Sequence, residues 1–110
     1  MDMSTAAPLP LLSPETLAEA LNGPLDQWRS DGSCLRRSYR TKDWTSAVMA
    51  ANAVAHLAEL AWHHPELHVA WGHLDIMLTS HEVAGQSQPG LTAKDVSLAL
   101  KIEQTLGWDP

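Results

Sequence analysis

The stretch Glu59-Leu-Ala-Trp-His-His-Pro-Glu-Leu-His-Val-Ala-Trp71 is where the chain changes its hydrophobic period, and that change decides the fold. Upstream, Trp44, Ala47, Val48, Ala51, Val54, Ala55, Ala58 and Ala61 recur at spacings of three and four. This predicts one long amphipathic helix from about Asp43 to Trp62, with an alanine-rich buried stripe that lets it lie close to a sheet. Downstream, Leu67, Val69 and Trp71 alternate with His68 and Ala70, the period of a half-buried strand. Pro65 separates the two regimes. It disfavours helical geometry at the residue before it, so the helix is expected to stop near His63, with His63 and His64 in its last turn or just past it.

Working outward, Gly72 interrupts the strand, and Leu74, Ile76 and Leu78 then alternate with His73, Asp75, Met77 and Thr79. A hairpin is expected here, with His81 at its exit and a loop carrying Gly85, Pro89 and Gly90 beyond. Thr92-Ala-Lys-Asp95 fits a capping box, and Val96, Ala99, Leu100, Ile102 and Leu106 form the apolar face of a last helix. Towards the N-terminus, Asp31-Gly32 supplies a tight turn between Trp28–Ser30 and Cys34–Arg40. In the second of these strands Leu35 and Tyr39 share one face, and Arg36, Ser38 and Arg40 the other. Ser13-Pro14-Glu15 starts a short helix bearing Leu17 and Leu21, and Asn22-Gly23-Pro24 ends it. The order α-β-β-α-β-β-α, with two hairpins, predicts an α+β fold: a four-stranded antiparallel sheet with its helices packed on one face. Residues 13–110 form one domain on this reading, after a flexible arm of residues 1–12 that contains Pro8 and Pro10.

The totals narrow the function. A chain of 110 residues builds one core. Its net charge of -6 repels nucleic acid and anionic membranes, so direct nucleic-acid binding is not expected. No stretch approaches the length of apolar chain that spans a bilayer. Cys34 is the only cysteine, which rules out an intrachain disulfide and fits a cytoplasmic location. Arg36, Arg37, Arg40 and Lys42 form the one positive cluster, read as an exposed strand face that could receive an acidic ligand or partner. Five tryptophans with no phenylalanine and one tyrosine suit pocket rims and subunit interfaces as well as cores.

Three chemistries compete for the histidines. Histidine gives and takes protons near neutral pH, so His63, His64 and His81 are candidates for acid–base work, with Glu59 and Asp95 as orienting carboxylates. Each also has a structural reading: an imidazole at a helix C-terminus interacts well with the helix dipole, Glu59 sits on a solvated helix, and Asp95 caps its own helix. A metal site is argued against by spacing. His63 and His64 are neighbours, and Pro65 breaks the helix that would align His64 with His68. Nucleophilic catalysis lacks a Gly-x-Ser-x-Gly elbow.

Glu59, His63, His64, Pro65, Trp71, His81 and Asp95 together resemble the signature of the pterin-4a-carbinolamine dehydratase family: an acidic residue, His-His-Pro, an aromatic residue, a further His and a later Asp. The likeness runs from about Trp28 to Leu106. It implies dehydration of a 4a-hydroxytetrahydropterin to the quinonoid dihydropterin in a site without metal or other cofactor. On this resemblance His63, His64 and His81 are catalytic, with Glu59, Trp62, Pro65, Trp71 and Asp95 binding the pterin or supporting the site. It also implies a homodimer or homotetramer. Trp62 stands where the family usually has a small polar or acidic residue, Leu67 where it often has Trp, and the loop from Glu82 to Leu91 is longer than usual. Dehydratase-like proteins also serve as RuBisCO assembly factors of the α-carboxysome, so a binding role with RuBisCO as partner is the alternative implied.

Overall fold

Asp43 opens the long helix. Its carboxylate accepts the Ser46 backbone N–H at 2.9 Å while Ser46 Oγ accepts the Asp43 N–H at 3.0 Å, a reciprocal box that satisfies two end donors. From that start the computed structural model, which describes residues 7–107, runs α1 (Pro14–Leu21), β1 (Arg29–Ser30), β2 (Leu35–Arg40), α2 (Trp44–Ala61), β3 (Glu66–Ala70), β4 (His73–Leu78) and α3 (Ala93–Leu106). All four strands are antiparallel, in the order β1-β2-β4-β3. The two expected hairpins are thus joined through β2 and β4, and the α-β-β-α-β-β-α order is the one observed.

Alternation in the strands sets the layers. Leu35 and Tyr39 of β2 and Leu74, Ile76 and Leu78 of β4 are buried against Ala51, Val54 and Ala58 of α2 and Leu98, Ala99 and Ile102 of α3. At about 25 cal/mol per Å² of apolar area, each fully covered leucine or isoleucine contributes on the order of 2 kcal/mol. The other sheet face, with Arg36, Ser38, His68, Asp75 and Met77, carries no helix among the described residues. The alanine stripe of α2 is as expected at positions 47, 51 and 58, whereas Trp44 lies half exposed at the helix start.

Three expectations need correction. Trp71 does not continue β3: the strand ends at Ala70, Gly72 takes φ 82 to turn the hairpin, and Trp71 stands in that turn, 72% exposed. Arg37 does not belong to the exposed basic face. Side chains alternate, so it shares the covered face with Leu35 and Tyr39, where its guanidinium lies 3.8 Å over the Tyr39 ring and donates to Glu103 Oε1 at 2.7 Å. Arg36 is paired as well, with Asp31 at 2.6 Å, which leaves less positive charge for an acidic ligand than the sequence suggests. Leu98 is a core residue of α3 that the apolar pattern missed.

Glu103 closes the core at one edge. Its Oε1 also accepts Tyr39 Oη at 2.6 Å and Trp28 Nε1 at 2.8 Å. Burial pushes this carboxyl up, but the hydrogen bonds from Tyr39, Arg37 and Trp28 outweigh it and hold the group below its ordinary value. Burial, with the Glu103 carboxylate beside it, pushes the Tyr39 phenol up.

Of the expected N-terminal arm, residues 1–6 lie outside the described residues. Leu9 pairs with the 83–84 segment, its carbonyl accepting the Ala84 N–H at 2.8 Å, and the Leu12 N–H bonds the Leu91 carbonyl at 2.9 Å. Leu11 lies so close against Gly90 that a Cβ there would collide with it.

Candidate active site

The end of α2 sets the site. Trp62 takes φ 50 and ψ 49, a left-handed conformation unusual for a residue with a side chain. Its N–H bonds the Glu59 carbonyl at 3.2 Å, and the His63 N–H reaches back to the Ala58 carbonyl at 3.1 Å, the two bonds of a Schellman ending. Holding a non-glycine residue there costs about 1–3 kcal/mol. The reversal has a directional consequence. His63 turns toward the core and His64, in the extended segment before Pro65, turns outward, their side chains 11% and 51% exposed.

His63 meets Asp95. Its Nε2 lies 2.6 Å from Asp95 Oδ1, shorter than the ordinary N–H···O hydrogen bond. Asp95 has no exposed surface. Its second oxygen accepts the Thr92 N–H at 2.8 Å and the Ser80 hydroxyl at 2.7 Å. Ser80 Oγ lies 2.8 Å from Thr92 Oγ1, and because Ser80 gives its proton to Asp95, the Thr92 hydroxyl donates in that contact. The buried carboxylate is therefore saturated: two donors from the start of α3 and the end of β4, and His63 as the third. In the tautomer with its proton on Nε2, His63 donates to Asp95 Oδ1 and leaves Nδ1 as a free lone pair.

A second cluster lies outside the same turn. His64 Nε2 is 2.7 Å from Glu59 Oε1, and the Trp62 ring meets the His64 ring edge-on at 5.0 Å. Pro65 links this pair to β3. His81 follows Ser80 directly and is exposed; among the described residues it has no hydrogen bond, and neither it nor Trp71 stacks on another ring. The structure thus joins His63 to Asp95, and His64 to Glu59 and Trp62. A groove of about 780 Å³ lies elsewhere, on the open sheet face between Arg36, Ser38, Glu66, His68, Asp75 and Met77. Neither His63 nor His64 lines it.

Sequence reasoning passed over Ser80. The signal was present, since Ser80 extends the inward series Leu74, Ile76, Leu78 by one more step of two.

A family model described as pterin 4 alpha carbinolamine dehydratase matches residues 10–105. The chain belongs to this family. Among other members of the dehydratase family, a protein of Aquifex aeolicus is 33% identical over 93 residues, 84% of this chain and 88% of its own length. A Roseiflexus protein is 34% identical over 95 residues, covering 86% of this chain and 96% of its own. Both carry the designation pterin-4-alpha-carbinolamine dehydratase only provisionally. A solved structure similar to this dehydratase-family chain is the transcriptional coactivator/pterin dehydratase from Brucella melitensis, with TM-score 0.74 and 29% identity over 88% of this chain and 99% of that one.

Proposed function

We propose that this chain is an active pterin-4a-carbinolamine dehydratase, a hydro-lyase that converts 4a-hydroxytetrahydropterin to quinonoid dihydropterin and water. The contact that carries the reading is His63 Nε2 to Asp95 Oδ1 at 2.6 Å. In the reaction the C4a–O bond breaks, the leaving hydroxide takes a proton to become water, N5 loses its proton, and the N5–C4a double bond forms. A base is needed at N5 and an acid at the leaving oxygen. His63 supplies the base: Nδ1 takes the N5 proton, and the imidazolium that results is held by the buried Asp95 carboxylate. The exposed His64 and His81 supply the proton to the leaving oxygen, Glu59 orients His64, and Trp62 and Pro65 line the approach, whereas Trp71 stands at the far end of β3. This chemistry uses side chains alone.

Stopped-flow dehydration of a 4a-hydroxytetrahydropterin by wild type, His63→Ala and His63→Gln tests the proposal. The expected result is rapid turnover, lost by about 10²- to 10⁴-fold in both variants while circular dichroism shows a folded chain. No acceleration over buffer by the folded wild type overturns it.

A binding role without turnover, with RuBisCO as the expected partner, draws on one observation: Trp62 and Trp71 present large apolar rings to solvent, 44% and 72% exposed. Exposed Met49 and Leu60 on the outer side of α2 favour self-association as a dimer or tetramer, which sedimentation measures directly.

A further inference from the structure

The open face of the sheet carries a second histidine cluster, and strand register builds it. His68 lies directly across from Asp75 in the β3–β4 hairpin, and His73 is two residues before Asp75 on the same strand. Cross-strand partners and residues two apart share a face, so all three side chains emerge together on the side without helices. The His68 and His73 rings stack with centroids 6.1 Å apart and planes 27° from parallel. His73 Nε2 is 3.4 Å from Asp75 Oδ2, and one donor atom from each of the three residues falls within 4.8 Å of the others. None of them touches His63, His64 or Asp95.

We propose that His68, His73 and Asp75 form a surface site for a borderline divalent transition metal, with Zn²⁺ as the best match. Two imidazoles and one carboxylate are a zinc-type donor set, whereas Ca²⁺ and Mg²⁺ require oxygen ligands throughout. Zinc holds nitrogen and carboxylate oxygen at about 2.0–2.2 Å, so donors around a tetrahedral ion stand roughly 3.3 Å apart. The His73–Asp75 pair already has that separation. The exposed His68 ring needs only to close a gap of about 1.5 Å by side-chain rotation. Three protein ligands leave a fourth position to water. Arg40 of β2, across from His73, opposes the cation, while the chain's net charge of -6 favours it. The helix spacing that argues against a metal at His63, His64 and His68 does not bear on this set, because the set is made across strands.

Isothermal titration of ZnCl₂ into the full chain tests the site, with CoCl₂ as a spectroscopic probe. One equivalent of Zn²⁺ is expected per chain at this site, and the Co²⁺ adduct is expected to show the visible bands of a four-coordinate nitrogen–oxygen site. His68→Ala/His73→Ala removes that equivalent, and Asp75→Asn weakens binding by at least about tenfold. Circular dichroism checks that the variants fold. The dehydration rate of His68→Ala/His73→Ala stays at the wild-type value, which separates this site from the dyad. Absence of zinc binding by wild type overturns the proposal. So does the same affinity and stoichiometry in the double variant, which would put the ion at His63 and His64 instead.

Discussion

Asp95→Asn separates the two tasks that converge on one carboxylate. Asparagine has nearly the same shape, and its carbonyl oxygen can take the place of Oδ2, keeping the Thr92 N–H and the Ser80 hydroxyl. Its amide group then faces His63 Nε2 as a donor. His63 must turn its Nε2 into the acceptor and move its proton to Nδ1, which removes the lone pair that receives the N5 proton on the proposed mechanism. The expected loss in kcat is about 10²- to 10⁴-fold, the usual contribution of a positioned general base. Exchanging charge-assisted bonds for neutral ones costs about 1–3 kcal/mol of stability. Asp95→Ala instead leaves the Thr92 N–H without its cap and Ser80 without its acceptor, both buried, and costs about 2–6 kcal/mol, at about 1–3 kcal/mol for each buried group left unsatisfied. Stopped-flow kcat and urea unfolding on the three proteins measure both quantities. If Asp95→Asn turns over at the wild-type rate while Asp95→Ala is unstable, the carboxylate only caps α3, and the dyad is not the catalytic unit.

Glu103→Ala strips the acceptor from Trp28, Arg37 and Tyr39 at once and is expected to cost about 2–3 kcal/mol, since the carboxylate keeps some solvent contact. The same group predicts an acid limb. Its folded value lies below its ordinary 4.5, so its contribution is complete above that value and is lost as pH falls through the folded one; a stability profile that stays flat there sinks the assignment. Trp62→Gly relieves the left-handed strain of 1–3 kcal/mol against the entropic cost of glycine, so a net gain of about 0.5–1 kcal/mol is expected in thermal melts. A loss instead means that the edge contact with His64 contributes more than the strain removes.

The period change around Pro65 was legible because proline and alternation are local rules, and they fixed α2, both hairpins and the sheet. What the sequence hid depends on single conformations. That His63 faces inward and His64 outward follows from a positive φ at Trp62, which propensity assigns to glycine or asparagine. The partner of Arg37 was hidden because strand alternation was set aside in favour of a run of like charges. Glu103 was recoverable in principle: it lies seven residues after Val96 and four after Ala99, an acidic residue on an apolar helix face, and such a group needs partners. The His68–His73–Asp75 cluster was out of reach, because it exists only once β3 and β4 are in register.

The loop beside the site has a defined reach. Ser80 and Gly90 exchange two backbone hydrogen bonds, at 2.9 and 3.0 Å, so the ends of the 81–89 segment are pinned together. Both the Ser80 hydroxyl and the N-terminus of α3, which hold Asp95, lie at or beyond those pinned ends. Added or deleted residues inside the loop therefore leave the His63–Asp95 dyad in place and move His81, the one proposed catalytic residue within it. On the proposed mechanism, a change in this loop bears on proton delivery by His81 and not on the base. The dyad itself stays bound to the fold through the cap of α3 and the Ser80 hydroxyl.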